Sequence, residues 1–296
     1  MLQPSINFSS PEDVCNTLHT AATCLLKFSG RIGCTAHLPP SGQVLVTGDL
    51  HDNPVHLSKI IQLANLEIPT NHVVLQELIH SGGDSDSPDF SYRMLVRVAS
   101  LVSAYPSQVH PILANHELSQ ATGREITKGG GELVKKFTQG VQHVFGKNTK
   151  DVLDALKTLI LAMPLAVQSE TGLMCLHSLP NELLMDEFDA DILQRELQPR
   201  DLRGPFGSAY TVVWGRQYSP EQANALAEYW GVKLFCLGHA WVPTGIDIAM
   251  PNVLLINSDH NRGTVLPVQL DNIQTAGRTM QSAIQLSSVL MDSSKL

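Results

Sequence analysis

The sequence predicts an α/β fold built on a parallel sheet with crossover helices. Two observations predict it. Along the first half of the chain, short apolar runs alternate with helix-periodic segments. Across the whole chain, five apolar runs end on their C-terminal side in a residue able to bind a metal, which is where sites assemble in α/β sheets.

The elements follow in order. Ser10-Pro11-Glu12-Asp13 sets a cap, a proline and two acids at a helix start, and Val14, Leu18, Ala21, Ala22 and Leu25 then recur at helical spacing, predicting a helix over 11–29. Pro39-Pro40-Ser41-Gly42 makes a turn into a strand over 43–47. A helix over 56–64, a strand over 72–75, a helix over 92–104 and a strand over 109–113 complete a strand–helix–strand–helix–strand run. Residues 118–163 read as mostly helical, broken at Gly129-Gly130-Gly131. Strands are expected at 165–167 and 173–176 around a turn at Glu170-Thr171-Gly172, then a polar stretch over 181–203 and a helix over 220–230. Further strands are expected at 233–237, 246–248, 253–256 and 263–270, and an amphipathic helix over 277–296. No internal repeat or linker divides the chain. The expectation is one domain over 1–296, with an N-terminal helical extension (1–42), a core (43–270) holding a helical insertion at about 118–163, and a tail (271–296).

Composition narrows the class. With 43% hydrophobic and 16% charged residues, the chain can bury a large core. A net charge of −8 argues against a partner held by its phosphate backbone, so no duplex nucleic acid is expected. The most apolar stretch, 158–167, is short for a membrane span and contains Pro164, so no membrane is expected. The opening MLQPSINFSSPEDV has neither the basic nor the apolar region of a secretory signal. Five cysteines, odd in number and without a C-x-x-C, read as reduced thiols, and the expected location is cytoplasmic.

The strand over 43–47 ends in Asp49 and His51, that over 72–75 in Glu77 and His80, and that over 109–113 in Asn115-His116-Glu117. The strands over 173–176 and 233–237 end in His177 and His239. Singly, each is a turn, cap or surface residue; the recurrence at five strand exits in chain order is what points to a site. The donor set is oxygen and imidazole nitrogen without thiolate, which suits manganese above all, or iron or zinc. Asp49 and His51 would hold one divalent ion, Asn115, His177 and His239 a second, and Glu77 would bridge both through its two oxygens. Two such ions about 3.5–4 Å apart can share a hydroxide at neutral pH and clamp an in-line displacement at phosphorus.

These blocks, GDLH (48–51), QE (76–77), ANHE (114–117), LHS (176–178) and GHA (238–240), resemble the calcineurin-like metallophosphoesterases, whose motif runs GD-x-H, GD, GNH[DE], His, GH. The resemblance covers about residues 43–270. Trp241, where other members carry a second histidine, resembles the phosphoprotein-phosphatase-like branch. VVWGRQY (212–218) resembles the Trp-x-Arg segment of its bacterial members. The resemblance implies a four-layer α/β/β/α sandwich of two mixed sheets. It implies hydrolysis of a phosphate ester by direct attack of a metal-bound hydroxide, with His116 as proton donor to the leaving oxygen and Arg216 as a phosphate contact. The substrate could be a small molecule, a nucleotide or a phosphoprotein.

Three departures stand out. Glu77 replaces an aspartate and sets the bridging carboxylate about 1.5 Å further from the backbone. His80-Ser81-Gly82 stands where the family has Asp-Arg-Gly, removing an acid that orients the proton donor and an arginine that binds phosphate. Ala114 replaces a glycine. Arg124 and Lys128 could restore the lost positive charge, or be ordinary surface residues. The alternative reading is a weakly catalytic or inactive member that keeps its metals and binds a phosphorylated ligand.

Overall fold

The computed structural model describes residues 6–80, 87–124, 126–128 and 131–291. Ser81, Gly82 and the Lys128 side chain lie outside what it describes. In chain order the elements are α1 (Pro11–Leu26), β1 (Arg31–Ile32), β2 (Thr35–Leu38), β3 (Gln43–Asp49), α2 (Pro54–Ala64), β4 (Asn71–Gln76), α3 (Tyr92–Ala104) and β5 (Val109–Pro111). Then come α4 (Asn115–Thr122), a small hairpin of β6 (Thr127–Lys128) and β7 (Gly131–Glu132), α5 (Leu133–Phe145), α6 (Thr149–Ala162), β8 (Ala166–Ser169) and β9 (Leu173–Leu176). The last third holds α7 (Ser208–Trp214), α8 (Pro220–Trp230), β10 (Leu234–Leu237), β11 (Ile246–Met250), β12 (Val253–Ile256), β13 (Thr264–Gln269), α9 (Ala276–Thr279) and β14 (Ile284–Gln285).

Two mixed sheets form the centre. One has five strands in the order β14-β13-β3-β4-β5, the other seven in the order β1-β2-β8-β9-β10-β12-β11. Within the first, β3, β4 and β5 run parallel and β13 antiparallel to β3. Within the second, β9, β10 and β12 run parallel.

Alternation along each strand builds the layers. Val44 and Val46 of β3, Val74 of β4, Cys175 of β9, Cys236 of β10 and Leu254 of β12 meet in one buried cluster between the sheets. Their neighbours Leu45, Val73, Leu75, Met174, Leu176, Phe235 and Leu237 join a second core with the helices. Each sheet is therefore apolar on both faces, as the continuous apolar runs demand. The result is the α/β sandwich expected from the resemblance.

The helices are set by local chemistry. Ser10 caps α1 by accepting from the Asp13 amide, Asn53 caps α2 at His56, and Ser219 caps α8 at Gln222. Each is followed by proline in the first turn. The helix expected over 11–29 stops at Leu26, where the last turn is closed by the Lys27 amide on Thr23 O. It packs on α3 and α6 through fully buried Val14 and Leu18.

Three features differ from the sequence reading. After α1 the N-terminal region is not only helical: β1 and β2 form an edge of the seven-stranded sheet, with β2 parallel to β8. The run Ser208–Trp214, to which the sequence assigns no element, is a helix. The helix expected over 277–296 does not form in the described part of the tail. The chain makes a single turn of α9 and then β14, which pairs with β13 at Thr264 and Val265. Gly277, Thr279 and three serines (282, 287 and 288) favour helix weakly, whereas pairing with a sheet edge and full burial of Leu286 reward the extended path.

Candidate metal centre

Close backbone approach joins the two sheets where the strands end. A Cβ on Gly48 would lie 1.8 Å from Ile256 O, so only glycine lets β3 pass β12 here. Beyond it Asp49 bridges Asn257, the Ser258 amide donates to Asp49 O at 3.1 Å, and the Ser258 hydroxyl accepts from the Gly48 amide at 3.0 Å. The exits of β3, β4, β9 and β10 and the start of α4 thus converge.

The backbone there is unusual. Among the described residues six non-glycine residues have positive φ, and five are His51, Asp52, Glu77, His80 and His239. Such conformations cost about 1–3 kcal/mol each and persist where the surroundings enforce them, typically at functional sites. The Leu50 and His51 amides donate to Glu77 O at 3.0 and 2.9 Å, tying the β3 exit to the β4 exit. Glu117, fully buried, accepts from the Leu78 and Ile79 amides at 2.7 and 3.1 Å and holds the same turn from the α4 side. Burial, and then the nearby Glu77, push its carboxyl up to about 7.

Glu77 sits at the centre. Its Oε1 lies 3.1 Å from His116 Nε2 and 3.6 Å from His51 Nε2, and its Oε2 lies 3.1 Å from His177 Nε2. Asn115 Oδ1 is 2.6 Å from His177 Nε2 and 3.1 Å from His239 Nδ1. Asp49 Oδ1 accepts from the His239 amide at 2.9 Å and lies 3.9 Å from His177 Nδ1. All six residues expected to bind metal are thereby brought together. Among the described residues two groups have donor atoms within 4.8 Å of one another, His51–Glu77–His116 and Glu77–His177–His239, and they share Glu77. His116, expected only to donate a proton, is a member of the first group, and Asp49 is in neither.

The residues fit divalent cations. The His239 imidazole is driven down to about 2 by burial and by His177, so it is neutral with a lone pair. Its Nε2 is buried without a hydrogen-bond partner. Burial and then Glu77 hold the Asp49 carboxyl well above the usual range. Burial also raises Glu77, but the imidazoles of His51, His177 and His116 outweigh it and leave that carboxyl well below its usual range. Two crowded carboxylates among imidazoles need positive charge, which bound cations would supply. The outer contacts orient the rings. His51 Nδ1 faces Ile79 O at 3.2 Å and His177 Nδ1 faces Gln76 Oε1 at 2.9 Å, so in both rings Nε2 points inward as the donor. Gln76 is itself held by donation to Thr47 O at 2.7 Å.

Gln76 and Glu117 escaped the sequence reading as orienting residues, and so did the placement of His80. His80 is buried, with Nδ1 3.2 Å from His116 Nδ1 and Nε2 3.3 Å from Gln120 Oε1. It faces the proton-donor candidate from the position where the family has an acid. The signal available was its spacing three residues past Glu77.

Arg216 follows α7, is exposed, and donates from Nη1 to His239 O at 3.2 Å, at the rim of the site. Arg124 is further out. Its guanidinium lies 4.7 Å from the Tyr210 ring centre, Tyr210 stacks on Trp214 at 5.8 Å, and Trp214 meets His239 edge-on at 5.9 Å.

A family model described as calcineurin-like phosphoesterase matches residues 42–243. The chain belongs to the calcineurin-like phosphoesterases. Among solved structures, this phosphoesterase is similar to a protein serine/threonine phosphatase from Saccharomyces cerevisiae with similarity to human phosphatase PP5. That match has 12% identity and a TM-score of 0.64, over 88% of this chain and 82% of that one. A cold-active protein-tyrosine phosphatase of a psychrophile, Shewanella sp., matches with 12% identity and a TM-score of 0.56, over 83% and 82% of the two chains. At these identities the likeness is one of fold. No curated protein matches the chain by sequence. The family uses divalent metal ions, and its members act on phosphate esters.

Proposed function

We propose that this phosphoesterase binds two divalent ions and hydrolyses a phosphate ester by direct attack of water, in the manner of the phosphoprotein-phosphatase-like branch. The observation that carries the reading is the pair of donor groups sharing Glu77 at the joined ends of two sheets. Asp49, His51 and Glu77 would hold one ion, and Glu77, Asn115, His177 and His239 the other. Manganese suits this oxygen and nitrogen set best, with iron or zinc also compatible. When bound, such ions lower the pKa of coordinated water and neutralise charge at phosphorus.

The chain's own groups supply the rest. His116 Nε2 faces the centre and would give its proton to the leaving oxygen, while Nδ1 is held against His80. Arg216, anchored on His239 O with its remaining donors exposed, would hold the phosphoryl oxygens. Five free cysteines support a reducing, cytoplasmic setting.

Elemental analysis of manganese-loaded protein, combined with hydrolysis of an aryl and an alkyl phosphate, tests the reading. Close to two ions per chain and turnover above the free-metal background are expected. No uptake at neutral pH ends the metal reading. Uptake without turnover leaves a phosphate-binding module, which the histidine at position 80 would then explain.

A further inference from the structure

Beyond the metal centre, three cations from distant segments converge on one cleft. Arg124 follows α4, Lys157 lies on α6, and Arg203 sits in the loop before α7. With Thr122, Leu202 and Gly204 they line a space of about 490 Å³. Among the described residues no carboxylate lines it, and none of the three cations makes an ion pair there. The neighbouring cleft, which shares Arg203 and Gly204, is lined by Glu187, Asp189 and Asp201. There Arg195 is locked between Asp189 and Asp201, both at 2.7 Å. In a chain of net charge −8, three like charges drawn together with no ion pair among the described residues repel one another.

One of them is held in place. The Arg124 guanidinium rests on the Tyr210 ring, a favourable cation–π contact, and lies where a Cβ on Gly204 would come within 1.8 Å of Nη1. Tyr210 and Trp214 share a face of α7, four residues apart, and Trp214 leads to His239 and Arg216. A chain of ring contacts therefore runs from Arg124 through Tyr210 and Trp214 to His239, whose carbonyl holds Arg216 at the rim of the site.

Resting on the phosphoesterase reading, we infer that this cleft is a second anion subsite, which takes the distal phosphate of a doubly phosphorylated substrate while the metal centre cleaves the proximal one. Its volume is that of a small-ligand site, and guanidinium and ammonium donors are what a phosphate dianion selects.

Equilibrium dialysis of manganese-loaded full-length protein against radiolabelled inorganic phosphate should find two phosphates per chain. The Arg203→Gln/Lys157→Gln variant should lose one of them, and Gly204→Ala, which displaces Arg124, should weaken the same one. In the kinetic arm, mono- and bisphosphates of terminal alkanediols of graded chain length are compared. Wild type should prefer a bisphosphate of one length by roughly tenfold or more in kcat/KM, the gain of one charge-assisted contact, and the double variant should lose that preference. If wild type and double variant bind equal numbers of phosphates, or share one preference at every length, the subsite is overturned whether or not hydrolysis proceeds. If nothing is hydrolysed but the variants still remove one bound phosphate, the subsite stands and the catalytic reading falls.

Discussion

His116 lies between two demands. Its Nε2 faces Glu77 and the candidate metal centre, and its Nδ1 faces a second imidazole where the family has a carboxylate. General acid catalysis is worth about 10²–10⁴-fold, so His116→Asn should lower kcat by that order on an alkyl phosphate. An aryl phosphate, whose leaving group needs little protonation, should suffer less. Equal losses on both would remove His116 from proton transfer. His80→Asp tests the neighbour. Aspartate tolerates the positive φ of 63° at this position and would add the charge that stabilises an imidazolium. Turnover of the alkyl phosphate should rise while that of the aryl phosphate holds; a fall in both would show that His80 is needed as it is.

At the scale of elements, the crossing at Gly48 sets the site. A side chain there meets the Ile256 carbonyl and must push β3 from β12. Gly48→Ala should cost roughly 1–3 kcal/mol, read as a lower urea midpoint, and should reduce metal occupancy in parallel. An unchanged midpoint would mean that the sheets part without penalty. The same region shows what could be read from sequence. β3, β4, β9 and β10 were legible because continuous apolar runs end in polar residues, and the six ligand candidates were legible because they follow directly. β1 and β2 were not, since RI and TAHL are too short to show a period and gain their pairing only from β8. α7 carries no cap signal, because Gly207 precedes it without a side-chain bond. Gln76 and Glu117 act through contacts made across the chain, to His177 and to the Leu78–Ile79 turn, and no local pattern encodes such partners.

For the whole molecule, ions bound by both sheets should favour the native state by mass action. Chelation should lower the Tm by about 5–10 °C and added manganese should restore it. Superimposable melts with and without chelator would sever the link between the centre and the fold. Acid should act through a different place. His110 is buried beside Phe28 and His72, and burial, then His72, lower it from 6.5 to about 3. Below pH 6.5 the unfolded chain takes up a proton that the fold refuses. Stability is therefore undiminished above 6.5 and falls by about 1.4 kcal/mol per pH unit toward 3. His110→Phe should move the acid-unfolding midpoint to lower pH, and an unmoved midpoint would clear this residue of the effect.

The tail has a role that its composition conceals. β13 is the outer long strand of the five-stranded sheet, and exposed strand edges recruit the edges of other chains. Three devices blunt this one. β14 covers Thr264 and Val265, Pro267 has no amide proton to offer, and the Ser282 hydroxyl takes the Pro267 carbonyl at 2.9 Å. Residues 276–288 thus cover the edge as well as completing the sheet. A chain cut before Ala276 would keep every ligand of the metal centre and yet expose β13 to pairing between molecules, so its loss of soluble yield would say nothing about the chemistry.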